Sequence, residues 1–268
     1  MSLTLTPLSN IPLIRPGDNL ADIILNSLRV TNIELADGDV LVLAQKIVSK
    51  AEGRLVNLAE VIPSPESREL ATRSEKDPRL VELILRESNE ILRVRPGTIV
   101  VEHRLGFVCA SAGIDHSNVN SPLPAGIVPE GEEEPGVRSD EWVLLLPQDP
   151  DRSAVEIRAR IESATGKHIG VMIIDSHGRA WRLGVVGTCI GLSGLPGIVD
   201  KRGDPDLFGY RLRITLVAAA DELAAAASLV MGQADEGTPV VHSRGFPYPL
   251  REGSMKELLR DKEQDMFR

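Results

Sequence analysis

The sequence contains IGVMIID, Ile169 to Asp175, a continuous apolar run that ends at an acid. Uninterrupted aliphatic and β-branched residues over this length are typical of a strand that is buried on both faces. A second run of this kind, DVLVLA from Asp39 to Ala44, follows the turn Asp37-Gly38. The two runs therefore predict buried strands, and the rest of the fold is inferred outward from them.

Helices and further strands are predicted before, between and after these two runs. The predicted helices are Asn19–Leu28, two helices from Ser64 to about Arg93 with Pro78 near the start of the second, Asp149 to about Ala164, and Asp221–Met231. The additional strands are Thr98–Val101, Gly106–Ala110, Arg211–Ala218 and Val240-Val241. Because strands and helices mix without strict alternation, we expect an α+β fold with mixed or antiparallel sheets and flanking helices.

Length and composition exclude several classes of protein. The chain has 268 residues, which suits one large domain or two interlocked lobes. A net charge of −9 without a long basic run argues against nucleic acid as a partner. Neither a signal peptide nor an apolar run of membrane-spanning length is found. Cys109 and Cys189 have no CxxC partner and are expected to be buried thiols. We therefore expect a cytoplasmic protein that does not bind membranes.

The segment ASAGIDHSN, Ala110 to Asn118, carries the first candidate metal ligand. Small residues and Gly113 allow close approach of a ligand to the backbone. The oxygens of Asp115 and Asn118 suit a hard divalent cation. The alternative is an Asx-turn, which needs the same residue types.

The segment IIDSHGRAWR, Ile173 to Arg182, carries the second candidate metal ligand. Asp175 ends an apolar strand, where ligand sites gather in sheet proteins, and Ser176 adds a hydroxyl beside it. A solvated turn between two strands is the alternative. Two acids at strand ends, each beside a hydroxyl or amide, together predict a magnesium or manganese site. His116 and His177 follow these acids and are interpreted as bystanders.

Two more segments are candidate ligand sites, the first for an anion and the second as a source of oxygen ligands, although neither common glycine-rich nucleotide loop occurs. QKIVSKAEGR, Gln45 to Arg54, follows a predicted strand and spaces three cations four residues apart. Its β-branched Ile47-Val48 pair is expected to interrupt a clean helix. MGQADEGTP, Met231 to Pro239, follows the alanine-rich helix and offers amide and carboxylate oxygens. The alternatives are an exposed basic face and an ordinary helix end.

These segments, in this order, resemble the coenzyme F-420-0:L-glutamate ligase family. The resemblance rests on VLAQKIVSKAEGR, GFVCASAGIDHSN, LLPQDPDRSA, IDSHGRAWRLGVVGTCIG, GDPDLFGYRLRIT and ADELAAAASLVMGQADEGTPVV, and it spans roughly Ile11 to Phe246. It implies an intertwined homodimer with a family-specific ligase fold. It also implies a GTP-dependent enzyme that uses Mg²⁺ or Mn²⁺, two per site, with K⁺ as a further candidate. Such an enzyme adds L-glutamate by γ-linkage to the lactyl phosphodiester tail of the deazaflavin precursor coenzyme F-420-0, through an acyl phosphate.

The resemblance also assigns residues. The implied metal ligands are Asp115, Asp175, Ser176 and Gln233, and the implied catalytic residues are Lys50, Asp115 and Asp175. The implied GTP-binding residues are Ile11, Pro12, Leu13, Ile14, Gln45, Lys46, Lys50, Asn118, Met231, Gly232, Gln233, Ala234, Asp235, Glu236, Gly237 and Thr238. No protein nucleophile is required.

The predicted organisation is one ligase domain, residues 1–250, followed by a peripheral C-terminal helix, residues 251–268. Residues 120–141 are rich in proline, glycine and glutamate and are expected to be a flexible insertion, longer than the family pattern suggests. Two other functions stay open: an amide ligase with a different acceptor, and a non-catalytic nucleotide-binding protein. The number of glutamates added and the preference for GTP over ATP also stay open.

Overall fold

A computed structural model describes residues 2–119 and 141–266. The chain forms two compact units. The first comprises Met1–Leu13, Asn19–Val48 and Asp149–Asp265, and the second comprises Ile14–Asp18, Ser49–Gln148 and Met266–Arg268. The predicted insertion at 120–141 lies outside the described residues except for Glu141.

The elements, in chain order, confirm the α+β class. They are β1 (Thr4–Pro7), α1 (Leu20–Val30), β2 (Val40–Ala44), α2 (Gln45–Ala51), β3 (Leu55–Asn57), α3 (Pro65–Ser74), α4 (Pro78–Arg86), β4 (Ser88–Arg95), β5 (Thr98–His103), β6 (Val108–Ala110), β7 (Trp142–Leu144), α5 (Pro150–Thr165), β8 (Gly170–Gly178), β9 (Val185–Ser193), β10 (Val199–Asp200), β11 (Leu216–Val217), α6 (Ala219–Met231) and β12 (Val240–Arg244). Short 3-10 helices are Leu58–Glu60, Ser111–Gly113, Met255–Leu258 and Lys262–Gln264.

A five-stranded sheet in the order β1-β12-β2-β8-β9 forms the centre of the first unit. The two strands predicted from the apolar runs, β2 and β8, are neighbours and run parallel, while the other pairs are antiparallel. Helix α5 packs against β8 and β9. On the face that carries Met172 and Ile174, helix α6 contributes Leu223 and Ala224 to the same buried cluster. Because side chains alternate along a strand, Val171 and Ile173 point to the other face.

Helix α6 approaches β9 most closely at Gly187. A Cβ atom added there would lie 2.5 Å from the carbonyl oxygen of Ala224 and 2.6 Å from the Cβ atom of Ser228. Both distances are too short for any side chain, so the helix can occupy this position only because residue 187 is glycine. The contact fixes the position of the C-terminal half of α6 on the sheet.

The second unit has two small sheets and its own core. Strands β3 and β7 form an antiparallel pair, and β4, β5 and β6 form an antiparallel sheet in that order. Helices α3 and α4 pack against each other and against β4. The core is aliphatic, with Val81, Ile84, Ile99 and Val101 fully buried.

Two predictions about local structure were wrong. Residues Gln45–Ala51 are helical despite the β-branched pair, because Ile47 and Val48 are buried and this packing outweighs a weak helix propensity. The helical pattern predicted up to Arg93 ends at Arg86, and from Ser88 onward the chain forms strand β4, which pairs with β5. Hydrogen bonding to a neighbouring strand therefore prevails over the apolar spacing.

Other segments differ in extent. Strand β8 continues past Asp175 to Gly178, because its polar end pairs with residues 185–188 of β9. Of the predicted strand Arg211–Ala218, Leu216–Val217 forms a strand paired with β10, and Arg211 forms an isolated bridge with Pro205. The described part of 251–268 contains two short 3-10 helices, and Met255 in the first of them is buried. Cys109 and Cys189 are buried free thiols as expected.

A buried ionic cluster joins β2 to β12. The carboxylate of Asp39, 1% exposed, accepts hydrogen bonds from Arg244 Nε at 2.9 Å and Nη2 at 2.7 Å, and from the backbone N–H of Ala36 at 2.8 Å. His242 Nε2 lies 2.8 Å from the same carboxylate. Burial by itself would raise the pKa of Asp39. The hydrogen bonds from Arg244 and His242 together outweigh this effect, so the pKa lies below its ordinary value of 3.8.

Asp39→Ala is expected to destabilise the chain by about 3 kcal/mol at pH 7, because it leaves Arg244 and His242 without their buried partner. Urea unfolding measures the change. A carboxyl with a lowered folded-state pKa stabilises fully above about pH 5, and this stabilisation is lost as pH falls through and below 3.8. The difference between wild type and Asp39→Asn should therefore shrink on acidification. A difference that grows towards low pH would contradict this account.

Candidate functional site

Asp175 lies on β8 just beyond its apolar part. Its Oδ2 atom is 3.1 Å from Nε2 of His177, two residues along the same face of the strand. Both side chains are 12% exposed. The carboxylate is therefore held in one orientation while an edge of it stays accessible. His177 is the side-chain partner of Asp175, and its interpretation as a bystander in cation binding stays a prediction.

Ser176 points to the opposite face of β8, towards α6. Its hydroxyl donates to Gln233 Oε1 at 2.8 Å. The Gln233 amide in turn donates from Nε2 to the Ser228 hydroxyl at 3.0 Å. The last turns of α6 and the loop after it thus bring an amide oxygen and a hydroxyl oxygen together. Such neutral oxygens are ligands for hard cations.

The loop that follows α6 is stabilised by a hydrogen bond from its backbone to the side chain of Glu236, one of its own residues. Gly232 ends the helix with φ 79° and ψ 178°, a region that is essentially restricted to glycine. The Glu236 carboxylate folds back and accepts from the backbone N–H of Ala234 at 2.8 Å. That hydrogen bond, with those of the Glu236 and Gln233 N–H groups, lowers the pKa of Glu236. The fold-back holds the loop that presents the Gln233 side chain.

If this loop binds Mn²⁺ or GTP, as the family resemblance implies, Gly232→Ala is expected to weaken that binding by about 10- to 100-fold, because strain of about 1–3 kcal/mol falls on the loop. A Cβ atom at position 232 would also collide with the Glu236 side chain. Gly166→Ala is the matched control, since Gly166 also ends a helix with a positive φ, 69°, has no atom within 4 Å of the added Cβ, and lies outside the loop. Calorimetric titration of each variant measures the affinities. Equal losses in the two variants would contradict a specific role for the fold-back.

Helix α2 carries the predicted cations and begins directly after β2. Gln45 is 1% exposed and Lys46 is half-buried. In the second unit, the Lys50 ammonium donates to the carbonyl oxygen of Asn118 at 2.7 Å. Asn118 is exposed and has φ 57°, a left-handed conformation that asparagine tolerates. Lys50 and Asn118, far apart in sequence, are therefore neighbours in the structure.

The backbone of Asp115 is anchored to β7. It exchanges two hydrogen bonds with Leu144, at 3.0 Å and 2.9 Å. The side chain of Asp115 is half-buried. The N-terminal segment predicted to bind GTP contains Leu13, which is 85% exposed, and Ile14, which is buried.

The predicted residues fall into groups by unit. The first unit holds Ile11, Pro12, Leu13, Gln45, Lys46, Asp175, Ser176 and the loop Met231–Thr238, and within it Ser176 and Gln233 are brought together. The second unit holds Ile14, Lys50, Asp115 and Asn118, and within it Lys50 meets Asn118. Across residues 2–119 and 141–266, no cluster of three or more His, Cys, Asp or Glu side chains could hold a metal ion. A cation in this chain would therefore also use hydroxyl and amide oxygens.

Comparison with known proteins identifies the family. A family model described as F420-0:Gamma-glutamyl ligase matches residues 9–245. The chain belongs to this ligase family. It is 48% identical over 270 residues to Coenzyme F420:L-glutamate ligase of Methanothermobacter thermautotrophicus, covering 100% of both chains. It is 49% identical to the protein of the same name in Methanopyrus kandleri, covering 95% of this chain and 93% of the relative. It is 42% identical to the protein of the same name in Methanocaldococcus jannaschii, covering 96% of this chain and 94% of the relative.

Some features of this ligase-family chain escaped the sequence analysis. Asp221, at the start of α6, accepts from the Cys189 N–H at 2.9 Å. Burial raises the pKa of Asp221 above its ordinary value. The hydrogen bond from Cys189 and the nearby His177 oppose this effect, but they are weaker than the effect of burial. Asp221 is therefore a half-buried acid near His177. The contact of His177 with Asp175 could have been found from their spacing of two residues, once Asp175 is placed inside a strand.

Among the residues that the structure describes, no helix is both long and apolar enough to cross a membrane.

Proposed function

We propose that this chain uses GTP to add L-glutamate, by a γ-glutamyl amide linkage, to coenzyme F-420-0. The relatives' names specify glutamate and coenzyme F420 as what those proteins act on. The observation that carries the proposal for this chain is the oxygen set at the polar end of β8, where Asp175 meets His177 and Ser176 meets Gln233. Carboxylate, hydroxyl and amide oxygens are suited to the divalent cation that accompanies a nucleotide.

The alternation of side chains along β8 favours two separate cation positions rather than a single shared one. Asp175 and Ser176 are adjacent, so their side chains point to opposite faces and one small ion cannot take both in a strand of ordinary geometry. Ser176 with Gln233 supplies the donors of one position. Asp175 supplies a donor of the other. Mg²⁺ or Mn²⁺ there would neutralise phosphate charge, and K⁺ stays an additional candidate.

The chemistry that fits these groups has two steps. An oxygen of the acceptor carboxylate attacks the γ-phosphorus of GTP, so that a P–O bond forms, GDP leaves and an acyl phosphate results. The α-amine of glutamate then attacks the acyl carbon, loses a proton and displaces inorganic phosphate. Lys50 is the protein cation proposed to offset the charge that develops on the phosphoryl oxygens. The chain's role is to hold the reactants in line and to reduce the repulsion between anions.

The decisive test is incubation with coenzyme F-420-0, isotopically labelled L-glutamate, GTP and Mn²⁺, followed by mass spectrometry. Successive additions of one glutamyl group are expected, and the ladder gives the number added. Replacing GTP by ATP measures the nucleotide preference. GTP hydrolysis that depends on glutamate but leaves F-420-0 unmodified would favour an amide ligase with another acceptor. Nucleotide binding without turnover would favour a non-catalytic protein.

A homodimer is part of the proposal. The connection between β10 and β11 carries Leu207, 98% exposed, and Phe208, 95% exposed. Ile214, on the same connection, is also almost fully exposed. Large apolar side chains grouped on one projecting segment are typical of a surface that another protein covers. A second copy of this chain is the partner implied by the family resemblance.

Phe208→Asp is expected to raise the dimer dissociation constant at least 100-fold, on the order of what an unpaired charge costs in a buried interface. Light scattering during size-exclusion chromatography measures the change. Ile62→Asp, at a site that is 81% exposed in the second unit, is the control and should leave the mass unchanged. A monomeric wild type, or a dimeric Phe208→Asp variant, would contradict this assignment of the interface.

A further inference from the structure

The hairpin between β8 and β9 ends in an exposed aromatic tip, residues 179–184. Trp181 is 88% exposed and Leu183 is 97% exposed, in a chain with only 3% aromatic residues. Trp181 also has φ 62°, a left-handed conformation that is unfavourable for a bulky residue. Exposure and backbone strain at one large aromatic residue point to a function outside the core.

The same tip is basic. Arg179 and Arg182 are exposed, and no acidic residue occurs between them. Arg179 donates from Nη2 to the carbonyl oxygen of Leu183 at 3.2 Å, a contact that supports the turn. With two guanidinium groups beside an indole, the tip attracts anions although the whole chain carries a net charge of −9.

The length of the hairpin sets an upper bound on the distance between this tip and the candidate cation ligands. Trp181 comes five positions after Ser176, and a strand rises about 3.3 Å per residue, so the span is roughly 16 Å at most. In a deazaflavin with a phosphodiester tail, the planar ring and the reacting carboxylate stand at opposite ends of a long chain. A carboxylate near Asp175 and Ser176 would therefore leave the ring within reach of the tip.

We propose that the hairpin tip binds the acceptor, with the indole of Trp181 stacked on the planar ring and Arg182 paired with the anionic phosphodiester. The inference rests on the proposed function and specifies how that same site recognises its acceptor. Stacking on an aromatic face and pairing of a guanidinium with phosphate are the two general means by which proteins bind such molecules. Glutamate has no planar ring to stack on the indole, whereas GTP has both a planar base and phosphates, so separate KM values for F-420-0 and GTP distinguish the two ligands.

The test compares Trp181→Ala and Trp181→Phe with Trp142→Phe, which changes the only other tryptophan, a half-buried residue of the second unit. Trp181→Ala is expected to raise the KM for F-420-0 about tenfold or more and to leave the KM for GTP unchanged. Trp181→Phe should restore part of the affinity because it keeps an aromatic face. Arg182→Gln should also raise the KM for the acceptor alone.

Titration of F-420-0 without GTP gives a readout that does not depend on turnover. Stacking should perturb the deazaflavin absorbance band in wild type and Trp142→Phe, and the perturbation should be absent in Trp181→Ala. An unchanged band and acceptor KM in Trp181→Ala would overturn the proposal. So would a change in molecular mass with equal effects on every substrate, which would indicate that the tip binds a second copy. If wild type binds F-420-0 with the band shift but adds no glutamate, the proposed function fails while the acceptor site stands.

Discussion

Asp175→Asn is expected to reduce glutamate incorporation by a factor on the order of 10³, with the fold unchanged. The amide keeps the size and the contact with His177 but removes the negative charge that a divalent cation requires. Loss of cation-assisted charge neutralisation is worth several kcal/mol in the transition state. The decrease should appear mainly in kcat, since the substrates still bind through other residues.

Asp200→Asn is the matched control, because Asp200 lies in the same unit but pairs on the surface with Arg202 at 2.6 Å. It should retain full activity. Mn²⁺ binding, followed by electron paramagnetic resonance, should weaken in Asp175→Asn and stay unchanged in the control. Full activity of Asp175→Asn with normal Mn²⁺ binding would exclude Asp175 as a ligand. Loss of activity together with a lowered unfolding midpoint would instead indicate a structural role.

Lys50→Met is expected to lower kcat about 100-fold, the loss typical when one electrostatic donor is removed from a charge that develops in the transition state. The methionine keeps most of the apolar stem, so the packing of α2 is preserved. In wild type the Lys50 ammonium donates to the Asn118 carbonyl, and this hydrogen bond fixes its position within the second unit. Lys50→Arg should recover little activity, because a planar guanidinium does not substitute for a compact ammonium.

Lys201→Met controls for the loss of a positive charge, since Lys201 is an exposed residue paired with Asp204. Its steady-state constants should match those of wild type. Initial rates at varied GTP distinguish the two roles that Lys50 could have. A raised KM for GTP with an unchanged kcat would mean that Lys50 binds the nucleotide without assisting the phosphoryl transfer.

The parts of the fold that the sequence predicted well are those in which a local signal and burial agree. Helix α5 has Asp149 as its N-cap, where the predicted helix begins. It ends at Gly166 in a left-handed conformation, two residues after the predicted end near Ala164. The continuous apolar runs of β2 and β8 predicted two buried strands, and these became a parallel pair at the centre of a sheet. In each case the residues that define the element are also the residues that stabilise it.

The parts that failed are those in which distant partners decide. Nothing near Ser176 in sequence indicates that it meets Gln233, because the contact depends on where the end of α6 lies on the sheet. The strand that begins at Ser88 has helical spacing and is held extended only by pairing with β5. The role of Glu236 depends on a backbone turn at Gly232 that composition alone does not specify.

The absence of a side chain at Gly187 has a consequence for how this ligase family can be engineered. The glycine sets the spacing between β9 and α6, and the loop with Gln233 begins where that helix ends. A methyl group at position 187 would push the rigid helix outward and move Gln233 away from Ser176. Directed-evolution libraries aimed at new acceptors should therefore keep residue 187 fixed, because variation there would displace the proposed cation ligands Ser176 and Gln233 and hide any gain in specificity.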